Sequence, residues 1–272
     1  MRRVKMKKIL VIVLILTILA IPLTACGNKD DSELVVGMEL AYPPFETTNA
    51  AGEPDGISVK MAYALGDYLN RPVRIENMAW TGLIPSLTTG KVDIILSSMT
   101  ITEERAKTVN FSNPYSKSQL SLLVSKSSTV QEFDDLKLEG KKLAVKIGST
   151  GHTYALANLP EKNIVVFEKE TSCVLEVSQG RADAFIYDAM TIYKNAQQYS
   201  DTTVAVFTPF QKDYEYWGMA LNKNDEKLLE DVNKFLEKYQ DAGEMDKLAD
   251  EYLGEIKEVF DDLGLSFFFD IE

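Results

Sequence analysis

The chain has little of what metal and redox chemistry needs: one histidine and two cysteines, Cys26 and Cys173, among 272 residues. A zinc site calls for clustered Cys and His ligands, so a metal has almost no support and no cofactor is expected. Positive charge is also scarce, with 29 Lys and Arg against 41 Asp and Glu. Nucleic acid and anionic lipid are therefore poor partners. The long apolar run lies at the start, Ile9 to Leu16 and Ile18 to Ile21, behind Arg2, Arg3, Lys5, Lys7 and Lys8. Pro22 interrupts it, and a membrane span needs about 20 apolar residues. A basic start and a short apolar core instead mark residues 1–25 as a signal peptide.

That segment ends in Leu23-Thr24-Ala25-Cys26-Gly27, which resembles the lipobox of bacterial lipoproteins. The resemblance implies that Cys26 becomes a lipidated N-terminus carrying a diacylglycerol thioether and an added acyl chain such as palmitate. Each buried methylene of such chains contributes ~0.8 kcal/mol to anchoring. It also implies an extracytoplasmic protein held at the cell membrane by its lipid. Cys173 is then left without a partner, so no disulfide is expected. Beside Val174, Leu175 and Val177 it reads as a buried structural thiol. Without residues 1–25 the chain keeps 247 residues, room for one large domain or two of about 120. With 24 basic and 41 acidic residues left, its net charge is −17.

Past a short polar tether over 26–32, β-rich runs alternate with helical periods. Leu34 to Met38, then Ile57, Met61, Leu65, Tyr68 and Leu69, then Val73 to Met78 read as β-α-β. A helix around Thr81 to Thr89 stops at Gly90, and a strand follows over Val92 to Ser97. The pattern recurs as strand 143–147, helix near 152–158, strand 164–167, helix near 172–179 and strand 182–187, which implies two α/β units. Gly90-Lys91-Val92-Asp93 echoes Gly180-Arg181-Ala182-Asp183 across 90 residues. The helical stretches beyond residue 226 are expected to rejoin the first unit. Two crossings, near 116–124 and 213–218, would then form a hinge.

Ligands of open α/β sheets sit beyond the carboxyl ends of strands. That rule selects Ser97-Ser98-Met99-Thr100 and Arg105 in one unit, and Gly148-Ser149-Thr150 and Asp188 in the other. Arg105 offers a planar fork that can hold a carboxylate bidentately, or it could pair with Glu103 or Glu104 on the surface. Asp188 could hold a cation or cap the helix that begins at Ala189.

Tyr42-Pro43-Pro44-Phe45-Glu46, Ser98-Met99-Thr100-Ile101-Thr102-Glu103-Glu104-Arg105, Phe111-Ser112-Asn113-Pro114-Tyr115 and Asp134-Asp135-Leu136 resemble the polar amino-acid solute-binding proteins of ABC importers. The resemblance covers nearly all of the chain after the leader. It implies an α/β, two-lobed periplasmic-binding-protein-like fold, each lobe a mixed sheet flanked by helices, joined by a two-crossing hinge. Lobe I would take 33–117 plus 218–272, and lobe II 118–217. The implied protein is a monomer that binds an amino acid, catalyses no reaction and serves a permease with its ATPase. Arg105, with the amides of Thr100 and Thr150, would hold the ligand carboxylate. Asp188, Thr100 and the Ser98 carbonyl would hold its ammonium, and Tyr42 and Trp80 would wall its side chain. Phe45 is assigned to the core.

Glu39 and Ser97 could receive a basic side chain, whereas Lys146 would repel one. His152 and Tyr187 could tune selectivity. Relatives commonly carry Gly-Phe-Asp-Val-Asp where this chain has Gly56-Ile57-Ser58-Val59-Lys60, a departure expected to affect the start of the first helix more than the pocket. The segment Leu265-Ser266-Phe267-Phe268-Phe269 is expected to pack on its own lobe. The rival readings are a dehydratase on the same fold, with Asp188, Glu39 or His152 moving protons, and a ligand sensor.

Overall fold

A computed structural model describes residues 33–271; the signal peptide, the tether and Cys26 lie outside the described residues. The first half runs β1 (Leu34–Met38), β2 (Thr47–Thr48), β3 (Pro54–Asp55), α1 (Ile57–Leu69), β4 (Val73–Asn77), α2 (Leu83–Thr88), β5 (Ile94–Ile95), α3 (Glu103–Ala106) and β6 (Val109–Phe111). Next come β7 (Ser116–Ser118), β8 (Leu120–Ser125), β9 (Leu143–Lys146), α4 (Thr150–Asn158), β10 (Ile164–Phe167), α5 (Glu170–Ser178), β11 (Ala184–Asp188), α6 (Ala189–Gln198) and β12 (Thr203–Val206). The chain then forms β13 (Glu215–Trp217), β14 (Ala220–Asn222), α7 (Glu226–Asp241) and α8 (Glu244–Leu263).

Two five-stranded mixed sheets result, ordered β4-β1-β5-β14-β6 and β10-β9-β11-β8-β12. β1 lies parallel to β4 and β5, while β14 runs antiparallel to β5 and β6. β9 lies parallel to β10 and β11, and β8 is antiparallel to β11 and β12. β1 and β8 are buried along their whole length, so neither alternates polar with apolar residues: β1 reads Leu34-Val35-Val36-Gly37-Met38, and β8 is apolar apart from the buried Ser121 and Ser125. Between the sheets, β7 and β13 form an antiparallel pair, so the chain crosses twice side by side. This is the two-lobed periplasmic-binding-protein fold.

The internal echo has a structural basis. Asp93 accepts from the Val35 amide at 2.9 Å, and Asp183 from the Lys142 amide at 2.8 Å, each tying a turn to the parallel strand beside it. The strand expected over Val92 to Ser97 is shorter in the structure. Its ladder covers Ile94–Ile95, because Asp93 sits in the turn and Ser97 leaves the ladder to accept from the Glu39 amide at 3.0 Å.

The first core gathers residues from both ends of the sequence, including Leu34, Phe45, Met61, Leu221, Phe235, Leu253 and Phe268. The segment 265–269 packs into it: Phe267 and Phe268 are buried, and Phe268 lies 5.1 Å from Phe45 and 5.5 Å from Trp217, ring to ring. The Phe268 carbonyl accepts from the Lys117 amide at 2.8 Å and the Ser116 hydroxyl at 3.1 Å, so the tail is bonded to the crossing strand β7. Cys173 is buried beside Val174, Val177 and Phe185, and burial pushes its thiol up to about 12. Among the described residues no helix is long and apolar enough to cross a membrane.

Candidate functional site

The parallel strands of both sheets point their carboxyl ends at one cleft. Glu39 follows β1, Trp80 follows β4, Ser97, Ser98 and Thr100 follow β5, Lys146 ends β9, Thr150 opens α4 and Asp188 ends β11; with Tyr42 and Arg105 they all line it. The void left between them is about 60 Å³, room for a few waters.

Arg105 sits on the one-turn helix α3, which Thr102 caps by accepting from the Arg105 amide at 3.2 Å. Its guanidinium makes no ion pair with Glu103 or Glu104 among the described residues. Nη1 instead donates to the Thr100 carbonyl at 2.7 Å, and Nη2 to the Gly148 carbonyl at 3.0 Å. The group lies 5.2 Å from the Trp80 ring centroid, and Trp80 Nε1 donates to the same Gly148 carbonyl at 3.0 Å. Gly148 has φ +71, and a Cβ there would stand 3.2 Å from Trp80 Nε1, so glycine lets the backbone approach. Burial pulls the guanidinium down to about 10, which leaves it charged at neutral pH. His152 is not in the cleft wall; its Nδ1 accepts from the Gly148 amide at 3.2 Å and steadies this turn.

Asp188 does both things considered for it. Oδ1 accepts from the Thr191 amide at 3.0 Å and caps α6, while Oδ2 is buried and meets no hydrogen-bond donor among the described residues. Burial raises its carboxyl above the usual range. The Tyr42 hydroxyl is buried beside it and acts on this carboxyl without a well-formed hydrogen bond, its ring stacked on Phe45 at 5.5 Å. A bare buried carboxylate oxygen is costly and calls for a donor.

Lys146 and Glu39 answer each other. Lys146 is 5 % exposed, is ion-paired with Glu39 Oε2, and lies 5.5 Å from the Trp80 ring centroid. Glu39 Oε1 also accepts from the Trp80 amide at 3.3 Å. The pair cancels the opposing expectations drawn from these two residues, since neither charge stands alone.

Two cleft carboxylates escape a reading of sequence. Glu46 is 1 % exposed and accepts from the hydroxyls of Ser98, at 2.9 and 3.1 Å, and Ser58. Burial outweighs both bonds and pushes it up to about 8. Its hold matters because Ser98 has φ +47, a left-handed conformation that costs a non-glycine residue of order 1–3 kcal/mol. The Ser58 departure thus touches the pocket wall, contrary to expectation, while α1 still starts at Ile57. Glu215 accepts from Thr150 Oγ1 at 2.8 Å and Thr100 Oγ1 at 3.2 Å. The signal for it was period two on β13: Trp217 is buried, so Glu215 shares its side. Tyr187, Ser118, Leu120, Ser149 and Trp217 complete the lining.

Several known proteins similar to this chain are binding proteins. The L-cystine-binding protein TcyJ of Escherichia coli strain K12 is 28% identical over 228 residues, covering 83% of this chain and 84% of its own. A crystal structure of the ancestral amino acid-binding protein AncCDT-1, a precursor of cyclohexadienyl dehydratase, superposes with TM-score 0.74 at 35% identity, covering 81% of this chain and 95% of that one. The P235GK mutant of ArgBP from T. maritima superposes with TM-score 0.73 at 35% identity, covering 82% and 96%. The family of bacterial extracellular solute-binding proteins, family 3, matches residues 34–255, and the chain belongs to it.

Proposed function

We propose that this chain is an extracytoplasmic, lipid-anchored binding protein that captures a polar amino acid between its lobes and delivers it to an ABC importer permease. The observation that carries the reading is the pairing of Arg105 with the bare Oδ2 of Asp188 at two ends of one cleft. An amino acid has a carboxylate for the first and an ammonium for the second, and each group supplies what the other end of the cleft lacks. The amides of Thr100 and Thr150 and the Ser98 carbonyl complete the receptors, and Tyr42 and Trp80 flank the side chain. Lys146 and Glu39 together offer one donor and one acceptor, which suits a neutral side chain carrying both, such as a terminal amide, better than a lone charge.

The narrow space between the cleft walls supports capture by opening and closing about the β7–β13 crossing. The moving bodies would be 33–117 plus 218–272 and 118–217. Closure around a solute held from both sides favours the closed form, the signal for the permease and its ATPase. The lipobox supports cleavage before Cys26, its lipidation, and residues 26–32 as the tether of a monomer. The cleft's acidic groups are assigned binding roles and no reaction.

A thermal-shift screen against the common amino acids tests this, followed by calorimetry on any hit. Micromolar affinity at millimolar solute adds ~4 kcal/mol, a shift of roughly 10 °C for a chain this size. One strong hit, abolished by Arg105→Ala, is expected. No hit, or turnover of the added compound, would overturn the proposal.

A further inference from the structure

Glu215 lies beside Thr100, Thr150 and Arg105, the residues proposed above to hold the solute carboxylate. Its Oε2 accepts from two hydroxyls that belong to different sheets' loops, Thr100 after β5 and Thr150 at the start of α4. Oε1 accepts from the Gln211 amide at 3.5 Å. β13 fixes its backbone opposite Ser118 of β7, and the Thr100–Trp217 bridge ties the same strand to the β5 loop. These anchors come from four segments, so the carboxylate is built in rather than a surface group that has turned inward.

Arg105 brings one positive charge to this end of the cleft. Among the described residues that bond to or act on Glu215, Arg105 is charged and Thr100, Thr150 and Gln211 are neutral; Lys117 of β7 instead sets its ammonium over the Tyr214 ring, and Lys212 and Asp213 of the loop before β13 make no bond to it. Glu46, Asp188 and the Lys146–Glu39 pair line the rest of the cleft. A solute carboxylate seated on Arg105 would therefore meet a second carboxylate with a single cation between them. Two carboxylates sharing one site do not both stay ionised.

We propose that Glu215 and the solute carboxylate hold one proton between them, so that capture of the solute takes a proton from solution. The balance is simple: a proton from bulk water adds to Glu215, and its new O–H donates to the solute carboxylate. Burial already raises the Glu215 carboxyl above the usual range, the same direction as this uptake. The proposal rests on the amino-acid reading above.

The test is calorimetry on the protein with L-glutamine, or with whichever common amino acid gives the largest thermal shift. It is run at pH 7.5 in phosphate and in Tris, whose ionisation enthalpies differ widely. Wild type is expected to take up about half to one proton per solute. Glu215→Gln keeps an acceptor for both threonines and is expected to take up that much less, and to bind at least as tightly at pH 8.5. Glu215→Ala serves if the glutamine variant does not fold. Equal proton counts in wild type and variant, with binding intact, would sink this inference alone; no binding of any amino acid would sink the reading beneath it as well.

Discussion

The two ends of the cleft are built on opposite principles. At the Arg105 end the charged group is braced by backbone: two carbonyls hold the guanidinium, Trp80 lies against it, and it keeps contact with solvent. At the Asp188 end the charged group is sealed, and one oxygen is left without a well-formed hydrogen bond. On the function proposed above, the first end is a receptor positioned before solute arrives, at little cost to the free protein. The second carries a hydrogen-bonding demand from folding onward, which a solute ammonium would relieve. Affinity at the first end would then come from preorganisation, and at the second from repair of a deficit.

Breaking the braced end should have the largest effect. Arg105→Ala should weaken binding by about 10²-fold or more, and Arg105→Lys should recover little, since an ammonium lacks the fork; calorimetry decides both. At the sealed end Asp188→Asn separates its two duties, because asparagine caps a helix as well as aspartate. Melting temperature should hold while affinity drops about 10- to 100-fold. Asp188→Ala should lose about 1 kcal/mol of stability besides.

The buried carboxylate Glu46 can be read through pH. Glu46 has its folded value raised to about 8 from an ordinary 4.5, so between those limits the folded state alone holds the proton. Stability should therefore be fullest below 4.5 and fall as pH rises through 8, by up to ~1.4 kcal/mol per unit for this group. Melting followed from pH 5 to 8 should slope downward in wild type and flatten in Glu46→Gln. The smallest expected effect is at Lys146. Lys146→Met leaves both ends in place, so binding should fall only about tenfold, with loss of preference among polar side chains measured by competition.

Much of this cleft was legible because strand ends are legible. The period of Ile57, Met61 and Leu65 and the apolar runs at Leu34 and Leu143 locate the parallel strands, and the residues just past them are cleft residues by topology. Glu46 and Glu215 obey no such rule. Glu46 looks like an ordinary polar end to a loop motif, and becomes a floor residue only when Ser58 and Ser98, 12 and 52 residues away, close over it. Glu215 lies in a polar run, Asp213-Tyr214-Glu215-Tyr216, and reaches the cleft through a partner 115 residues distant. The Lys146–Glu39 pair shows the same limit, since two charges 107 residues apart can be named singly and still be misjudged until they meet.

The hydrogen bonds from β7 to Phe268 also set an order of assembly. The sheet of β8 to β12 is drawn from one stretch of chain, residues 120–206, and can close as soon as that stretch is available. The other sheet cannot: β5 waits for β14, and Ser116 waits for Phe268 across 152 residues. Contacts that far apart in sequence form late and slowly. The later-numbered sheet should thus be the earlier one to fold, and the crossing between the sheets, the hinge of the proposed closure, should be among the last parts to set.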